Sequence, residues 1–434
     1  MQEKCVWCPR IRAFGTLGTM TYLPRALDLQ LNELLPYVGA IAIDGPKGVG
    51  KTSTAEQRAT TTLHLDREQD RIVLRANPAF DHFPDGSILI DEWQRVPEVW
   101  GIVRRAVDDG CDPGRFLLTG SATPIAGTTT HSGAGRVLSL RMRPMAVFER
   151  DSREDLISLK EILAGSATIT GQTDQTSVDY AHNIATTGLP GLRDLPPLVQ
   201  KQHIASYIDR ILDRDLPDQG YTTRNKAALL TWMRAYAAAT ATQASYSEIL
   251  DSATPGESNK PSKKSSATYR DKLSEIWILD PLPAWNFASA PFPRVSQQAT
   301  HFLADPGLAL HLLGLTERSL QAPRNAHIFG CLFEALAVLC IRVAAEANFA
   351  TVGHFRTRNG DHEIDAVIES AEGGIIPVEV KLTYTPSPED GKHLLWLRDS
   401  LPDEVIDMII ITTGDRAYRR EDGIACIPLA LFGV

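Results

Sequence analysis

The sequence predicts an α/β fold in which a parallel sheet is covered by helices on both faces. Between residues 40 and 142, short apolar segments alternate with polar or helical segments. Such alternation is typical of strands joined by crossover helices, and ligands of these sheets bind at the carboxyl ends of the strands. The strand candidates are residues 40–44, 61–66, 87–91, 115–121 and 136–142, and the main helix candidates are residues 21–40, 53–59 and 97–108.

The first strand candidate is followed at once by a complete phosphate-binding loop motif. Eight residues match the pattern G-x-x-x-x-G-K-S/T, and a helix-forming segment comes next. Glycines let backbone N–H groups turn inward around a phosphate, at a helix N-terminus that favours anions. We expect Lys51 to bind the β- and γ-phosphates of ATP and the hydroxyl of Thr52 to hold Mg²⁺. The eight residues are Gly45, Pro46, Lys47, Gly48, Val49, Gly50, Lys51 and Thr52.

Two later strand candidates end in polar residues that suit the same chemistry. The first ends in Asp91 and Glu92. We expect Asp91 to hold Mg²⁺ through water and Glu92 to act as the catalytic base that polarises the attacking water. The next strand ends in hydroxyls, of which Ser121 is the first candidate and Thr119 the second for sensing the γ-phosphate or positioning water. The alternative is that these hydroxyls only cap the following turn.

An arginine follows the small, polar loop at residues 127–135. Arg136 starts the next strand candidate, and an arginine that enters an ATP site can neutralise the charge that develops on the γ-phosphate. It could do so within one chain or across an oligomer interface, because the sequence leaves the oligomeric state open. The alternative is an ordinary surface arginine.

Length and composition indicate a globular protein of two or three domains. The chain has 434 residues, of which 43% are hydrophobic and 22% charged. We expect no membrane partner, because no apolar run approaches the roughly 20 residues that span a bilayer. The N-terminus has no apolar region of the signal-peptide kind, so the expected location is cytoplasmic.

The N-terminal residues 1–20 are expected to be a disordered extension, and Met20 is a candidate for the true start. Cys5 and Cys8 form a C-x-x-C pair without the second pair that a zinc site needs. Six cysteines in a chain of this length do not indicate a disulfide framework.

Residues 171–300 predict a helical region with the layout of a winged helix-turn-helix. Three helices are followed by a strand-like segment at 277–285, which would form the wing. The net charge of −9 disfavours constitutive nucleic-acid binding, so any contact with DNA needs a local basic patch. The alternative is that this region has only a structural role. The candidate phosphate contacts are Lys260, Lys263 and Lys264, in a segment at residues 255–266 that is expected to be a flexible loop, and Arg270 and Lys272 on the helix that follows.

Residues 301–434 carry a second group of candidate catalytic residues. Asp365 lies on one strand candidate, and Glu379 and Lys381 lie on the next, two residues apart and therefore on one face. Two carboxylates can hold a Mg²⁺ that activates water, and a lysine can offset transition-state charge. Glu334, on an apolar helix upstream, is a third candidate acid. The order matches the PD-(D/E)xK nuclease pattern; the alternative is a degenerate domain whose acids pair with Lys381 and nearby arginines.

From Met20 onward the chain resembles a prokaryotic family that fuses an AAA-type P-loop ATPase to a nuclease-like C-terminal domain, domain of unknown function 4143. The resemblance implies ATP binding, hydrolysis and a winged-helix middle, but it supplies no substrate. The residues that carry it are 45–52, 90–92, 118–121, 133–136, 213–216, 334, 363–365 and 379–381.

The predicted domains are residues 21–170 for the ATPase, 171–300 for the winged-helix region and 301–434 for the nuclease-like domain. We expect an ATPase that uses MgATP to control its C-terminal module, with DNA as one candidate partner and unknown proteins as others. The alternatives are a nucleotide-gated protein-binding switch with little turnover, or an ATP-regulated metal-dependent nuclease.

Overall fold

The structure is a computed structural model that describes residues 22–121, 134–151, 153, 155–223, 225–253, 262–285 and 298–434. The sequence features at residues 1–20, at 127–133 and at Lys260 lie outside the described residues.

Five strands form the first sheet, and every neighbouring pair is parallel. They are β1 (Ala40–Asp44), β2 (Thr61–His64), β3 (Ile88–Asp91), β4 (Phe116–Gly120) and β5 (Val137–Arg141). Their order across the sheet is β2-β3-β4-β1-β5, so β4 separates β1 from β3. All five carboxyl ends therefore lie along one edge, where the candidate phosphate loop begins.

Four helices cover this sheet: α1 (Ala26–Leu34), α2 (Lys51–Glu56), α3 (Glu68–Ala76) and α4 (Glu98–Asp108). Side chains of a strand alternate between the two faces. Ile41 and Ile43 accordingly join a core cluster with Leu31 of α1, whereas Ala42 joins a second cluster with Val103 of α4. The predicted parallel sheet with helices on both faces is confirmed.

The middle of the chain is mainly helical. A π-helical turn, Ile211–Asp215, joins two of its helices end to end. The elements are β6 (Ile157–Ser158), α5 (Leu159–Leu163), β7 (Gly171–Gln172), α6 (Ser177–Ala185), α7 (Pro190–Arg193), α8 (Pro197–Arg210), α9 (Leu216–Asp218), α10 (Lys226–Ala238), α11 (Tyr246–Ala253), α12 (Lys263–Glu275), α13 (Pro306–Leu312) and α14 (Glu317–Leu320).

The middle region differs from the sequence expectation in two places. Helix α12 begins at Lys263, inside the segment expected to be a flexible loop, because the Ser262 hydroxyl caps it by accepting from the backbone N–H of Ser265 at 3.1 Å. The expected wing at residues 277–285 forms single antiparallel bridges, from Leu279 to Leu303 and from Leu282 to Thr300. The winged-helix assignment remains a prediction.

A second sheet of seven strands packs against a long helix in the C-terminal part. The elements of the C-terminal part are α15 (Ala326–Ala347), β8 (Thr351–Arg356), β9 (Glu363–Glu369), β10 (Ile375–Val380), α16 (Lys392–Ser400), β11 (Ile409–Thr412), β12 (Arg416–Arg419), β13 (Ala425–Pro428) and β14 (Phe432–Gly433). The strand order is β7-β12-β13-β11-β10-β9-β8, and β14 pairs with β6 in a small separate sheet. Pairs β10–β11 and β11–β13 are parallel, and the others in the large sheet are antiparallel.

The middle and C-terminal parts share one hydrophobic core. Tyr180 and Trp232 from the middle helices belong to the same buried cluster as Phe333 and Ile376. Strands β6 and β7 also pair with C-terminal strands. The domain boundaries predicted at 170 and 300 are untested, but these two parts are packed as one unit.

The expectation of no membrane partner stays a prediction, because one described helix has the length and composition of a membrane span. The segment Pro323–Ala347 is long and apolar enough to cross a bilayer, although 78% of its most apolar window is buried inside the protein. A core helix of a soluble protein meets the same criteria. This segment is therefore weak evidence for a membrane span.

A buried carboxylate joins the three parts of the molecule. Asp280, from the middle region, lies 2.7 Å from Arg143 Nε, 3.0 Å from an Arg141 nitrogen and 2.9 Å from an Arg342 nitrogen. Arg143 also pairs with Glu346 of α15. Burial alone would raise the pKa of Asp280, but the three guanidinium groups hold it well below its usual range.

Replacing this carboxylate should destabilise the whole fold. We expect Asp280→Ala to lower the free energy of unfolding by about 3–5 kcal/mol, because it leaves buried guanidinium groups without their counter-charge. Urea denaturation followed by far-UV circular dichroism measures the change. Asp271→Ala, which removes an exposed partner of Arg270, is the matched control and should change stability by less than about 1 kcal/mol. Equal effects of the two substitutions would contradict the assignment.

Candidate functional site

The phosphate-binding loop connects the end of β1 to the start of α2. A side chain at Gly45 would place its Cβ 2.1 Å from the carbonyl oxygen of Met142, so this position tolerates only glycine. Gly50 has a φ of 102°, a left-handed conformation that glycine adopts without strain, and α2 begins at the next residue. The sequence therefore builds a tight turn that ends at a helix N-terminus, where an anion is favoured.

Lys51 is buried in the turn and held by backbone oxygens. Its Nζ donates to the carbonyl oxygens of Gly45 and Pro46, each at 2.8 Å. Burial lowers the pKa of Lys51 to about 8, although Glu92, Asp44 and Asp91 act in the opposite direction. A phosphate in the turn would supply the negative charge that this buried ammonium group lacks.

Asp91 and Thr52 lie together, as the two motifs predict. The Thr52 hydroxyl donates to Asp91 Oδ1 at 2.7 Å, and the Thr119 hydroxyl donates to the same oxygen at 2.5 Å. Oδ2 of Asp91 lies 3.1 Å from Nδ1 of His64, its register partner on β2. Thr119 therefore orients the Asp91 carboxylate, in addition to being a candidate γ-phosphate sensor.

Glu92 and Ser121 form a second polar group beside Asp91. The Ser121 hydroxyl lies 3.3 Å and 3.4 Å from the two carboxylate oxygens of Glu92, and Gln94 Nε2 donates to Glu92 Oε2 at 2.5 Å. Glu92 has a φ of 55°, which is uncommon for a residue with a side chain. Such strained positions cluster at functional sites.

A buried arginine near the start of the described chain connects the phosphate loop to neighbouring segments. Arg25 donates to the carbonyl oxygens of Val49, at 2.7 Å, and Arg143, at 2.9 Å. Its charge is balanced by Glu149 at 3.1 Å. The loop is thereby fixed to the segment before α1 and to the segment after β5.

The middle region also contacts the loop. Lys47 forms an ion pair with Asp215 at 2.5 Å, and the Tyr207 hydroxyl donates to the carbonyl oxygen of Lys47 at 3.1 Å. Asp215 closes the π-helical turn Ile211–Asp215. The outer surface of the phosphate loop is therefore in direct contact with α8 and the turn that follows it.

The structure does not bring Arg136 to this site. Arg136 precedes β5 and therefore lies at the amino end of the sheet, opposite the phosphate loop. It pairs with Asp108 at 2.7 Å and is about half exposed. A role within the same chain is inconsistent with this position, and a role across an oligomer interface remains a prediction.

The acids of the C-terminal part converge as predicted. Lys381 Nζ lies 2.6 Å from Glu379 Oε1, and Asp365 Oδ2 accepts from the backbone N–H of Val380 at 2.8 Å. Burial raises the pKa of Glu334 well above its usual value, and the nearby Asp365 and Glu379 raise it further. Oε2 of Glu379 is buried without a hydrogen-bond partner.

No group of three or more His, Cys, Asp or Glu side chains is arranged to hold a metal ion in the described parts of the chain. The Glu379–Lys381 pair and the pairing of Arg356 with Glu363 at 3.7 Å also fit the alternative of a degenerate domain. The acids are thus close enough to interact but do not form a complete cage.

The basic residues predicted for the middle region are only partly available. Lys272 pairs with Glu275, and Arg270 pairs with Asp271 and stacks over the ring of Tyr246. Lys263 and Lys264, at the start of α12, are exposed. The candidate DNA contacts in the described residues are thus concentrated at one helix end.

Three parts of the chain match known protein families. Residues 38–150 match the family described as AAA domain. This part of the chain is therefore similar to AAA-type P-loop domains, in agreement with its parallel sheet. Residues 178–319 match a domain of unknown function, DUF8612, and residues 329–432 match another, DUF4143. The predicted pairing of an AAA-type domain with a C-terminal DUF4143 domain is confirmed, whereas the nuclease-like character of the latter is not tested.

Two relatives match most of the chain, and both are described as uncharacterized proteins. An uncharacterized protein of Mycobacterium tuberculosis and one of Mycobacterium bovis are each 26% identical over 406 residues, covering 92% of this chain and 82% of the relative. A Walker-type ATPase of Pyrococcus abyssi is 13% identical with a TM-score of 0.39, and the match covers 67% of this chain and 96% of that protein.

Several residues of the site are absent from the sequence prediction. His64 lies within the strand candidate at residues 61–66, and its parallel register with Asp91 brings the two side chains together. Gln94 follows two residues after Glu92, but no spacing rule assigns it a role. Arg25 and Tyr207 reach the loop from distant parts of the chain, and nothing local in the sequence indicates these contacts.

The protonation of Lys51 should control nucleotide affinity. Because phosphate binding favours the charged lysine and its pKa is lowered to about 8, affinity for ATP should be constant near neutral pH and fall as the pH rises above 8. Titration calorimetry from about pH 7 to about pH 9.5 measures this, with a loss approaching tenfold per pH unit. Lys51→Arg, which stays charged throughout, is the control and should flatten the profile. A wild-type profile as flat as that of the variant would refute the assignment.

Proposed function

We propose that this protein is an ATPase that binds MgATP at the phosphate loop, hydrolyses it, and uses the nucleotide state to control its middle and C-terminal parts. The observation that carries the proposal is the hydrogen bond from Thr52 to Asp91, with Glu92 beside it. A hydroxyl and a carboxylate of the kind that hold Mg²⁺ in P-loop ATPases are already in contact. The candidate base, Glu92, directly follows the aspartate that would bind the metal.

The donor set fits a hard cation. Thr52 supplies a hydroxyl and Asp91 a carboxylate, and Mg²⁺ prefers oxygen ligands from one or two such groups together with phosphates and water. When bound, Mg²⁺ would neutralise charge that develops on the phosphates. His64 and Thr119 hydrogen-bond Asp91 and would keep its carboxylate oriented toward the cation.

Glu92 is suited to accept a proton from the attacking water. Gln94 and Ser121 hydrogen-bond its carboxylate and restrict its orientation. A general base must lie within hydrogen-bond reach of the proton that it removes, and such a restricted side chain satisfies this more readily than a free one. Ser121 stays a candidate for contact with the γ-phosphate.

The contact between the phosphate loop and the middle region supports coupling of nucleotide binding to the middle and C-terminal parts. Phosphate in the loop would compete with Asp215 for Lys47, because both present negative charge to the same ammonium group. Loss of that ion pair would free the π-helical turn and the end of α8. The change could then reach the C-terminal part through the core that the two parts share.

Steady-state ATP hydrolysis tests the proposal. Glu92→Gln should reduce turnover by about 100-fold or more while ATP still binds, because it removes the base but not the phosphate contacts. Lys51→Ala should abolish binding and turnover together. Each protein is assayed with no DNA and with single-stranded, duplex and branched DNA.

The same assay separates the alternatives. Stimulation by one form of DNA would identify DNA as the partner. Tight ATP binding with negligible wild-type turnover would favour the nucleotide-gated protein-binding switch. Hydrolysis that persists in Lys51→Ala would overturn the proposal.

A second candidate function is a metal-dependent nuclease regulated by ATP. The observation that favours it is the convergence of four side chains, with one buried carboxylate oxygen of Glu379 unpartnered. They are Glu334 of α15, Asp365 of β9, Glu379 of β10 and Lys381 directly after β10. An incoming divalent cation would satisfy that oxygen and relieve repulsion among the acids. The order of one helix, three strands, a helix and a strand also suits a PD-(D/E)xK-like domain.

DNA cleavage in Mg²⁺ or Mn²⁺ tests this second function. Asp365→Asn and Lys381→Ala should each abolish cleavage while Lys51→Ala changes only its dependence on ATP. Glu372→Gln, an exposed acid on the turn between β9 and β10, is the matched control and should cleave like the wild type. A wild-type protein that cleaves no DNA form with either metal would support the degenerate-domain alternative.

A further inference from the structure

Two histidines from different elements meet at the surface of the C-terminal part. His362 directly precedes β9, and His393 lies in the first turn of α16. Their Nδ1 atoms are 3.3 Å apart, and the planes of the two rings are at 87°. Both side chains are only half-buried, so a small ion from solvent can reach them.

The ring of His362 is held by stacking and by its backbone. It lies parallel to the indole of Trp396, with the ring centroids 3.8 Å apart and the planes at 10°. The backbone N–H of His362 donates to the Thr357 hydroxyl at 3.0 Å, and its carbonyl oxygen accepts from the backbone N–H of Thr357 at 2.9 Å. The position of this imidazole is therefore set without any ligand.

The position of His393 is set by the packing of its helix. Leu394 and Leu397 of α16 are fully buried in one cluster with Ile364 of β9. Close packing of this kind resists small displacements. The two imidazoles are thus carried by elements whose distance from each other is fixed by a common core.

The separation of the two nitrogens fits a tetrahedral metal ion. Two imidazole nitrogens bound to one Zn²⁺ at about 2.0–2.1 Å are roughly 3.3–3.4 Å apart when the angle at the metal is about 109°. A square-planar Cu²⁺ would require a separation of about 2.9 Å. The observed 3.3 Å favours Zn²⁺. A direct N–H···N hydrogen bond between neutral rings has a similar length, and the experiment below distinguishes the two.

Nearby charges set a limit on the affinity for a cation. The positive charges of Lys381 and Lys392 act on His393. They also repel an approaching metal ion, so its binding depends on the bonds to the two fixed imidazoles. We therefore expect weaker binding than at a structural zinc site with four protein ligands.

We propose that His362 and His393 together bind Zn²⁺ and that the bound ion joins the segment before β9 to α16. No group of three or more His, Cys, Asp or Glu side chains is arranged for a metal within the described ranges, so water would complete the coordination. The site differs in chemistry from the acids Glu334, Asp365 and Glu379, because imidazole suits Zn²⁺ whereas carboxylates suit Mg²⁺ and Mn²⁺. It goes beyond the proposed function and does not depend on nucleotide binding.

A metal at this site would stabilise the strands that carry the candidate acids. His362 directly precedes β9, the strand of Asp365, and α16 packs against both β9 and β10. An ion that binds only the folded arrangement of the two histidines raises the free energy of unfolding.

Titration calorimetry with Zn²⁺ in excess Mg²⁺ tests the site in the full chain. All proteins carry Cys5→Ser and Cys8→Ser, because that thiol pair can also bind Zn²⁺. We expect His393→Gln to weaken Zn²⁺ binding about tenfold or more, since the remaining imidazole has no chelating partner. His203→Gln, which changes an exposed histidine on α8, is the matched control and should bind Zn²⁺ like the parent protein. Circular dichroism checks that each variant is folded.

Tryptophan fluorescence locates the metal. Cu²⁺ binds nitrogen ligands more tightly than Zn²⁺ does, and it quenches an indole that lies against its ligand. Because Trp396 stacks on His362, Cu²⁺ should quench a part of the emission that is missing in Trp396→Phe. In His393→Gln the same quenching should require about tenfold more Cu²⁺.

The outcomes separate the histidine site from its alternatives. Loss of Zn²⁺ affinity in His393→Gln but not in His203→Gln supports the site. Unchanged affinity in His393→Gln, or no Zn²⁺ binding by the parent protein, overturns it and leaves the pair as a hydrogen bond between neutral rings. Equal loss in Glu379→Gln also overturns it, because the metal would then belong to the acids.

Discussion

The carboxylate of Asp280 is the contact on which the arrangement of the three parts depends. It lies among arginines from the end of β5, from the segment after β5 and from α15. Removing one partner of such a buried group leaves uncompensated charge, which is more costly than any exposed ion pair. Arg141 is the register partner of Asp44, the residue immediately before the phosphate loop. The junction of the three parts therefore lies beside the residue that precedes the phosphate loop.

This position has consequences for the electrostatics of the loop. Burial raises the pKa of Asp44 to about 6, against the influence of Lys51 and Arg141. Burial lowers the pKa of Lys51, and its ammonium group is satisfied by two backbone carbonyl oxygens. The charges of Asp44, Lys51 and Arg141 are thus only partly compensated by one another. They lie around the phosphate loop, which presents backbone N–H groups. A phosphate anion in this turn would complete this pairing.

The contacts that could be predicted from the sequence are those set by local spacing and strand direction. Asp91 ends β3, and Thr52 follows the loop after β1, which runs in the same direction, so their meeting at one edge required no knowledge of the packing. The same rule could have corrected Arg136, since a residue before a strand lies at the amino end. The pair of Lys47 and Asp215 spans 168 positions and depends on how the helical region packs, which no local pattern encodes. The C-terminal acids were placed by strand periodicity, but whether they hold a metal depends on side-chain geometry finer than that periodicity.

If the loop binds a nucleotide as proposed, the ion pair between Lys47 and Asp215 would affect the rate of binding. Lys47 is about two-fifths exposed and Asp215 is largely covered, so the pair closes the loop at its solvent side. An arriving phosphate would have to exchange with a carboxylate that is already in place, and that carboxylate belongs to the π-helical turn outside residues 38–150. Salt screens a partly exposed pair and would favour its open form. Ionic strength and the packing of the π-helical turn would then determine how fast the loop accepts its ligand, separately from how tightly it holds it.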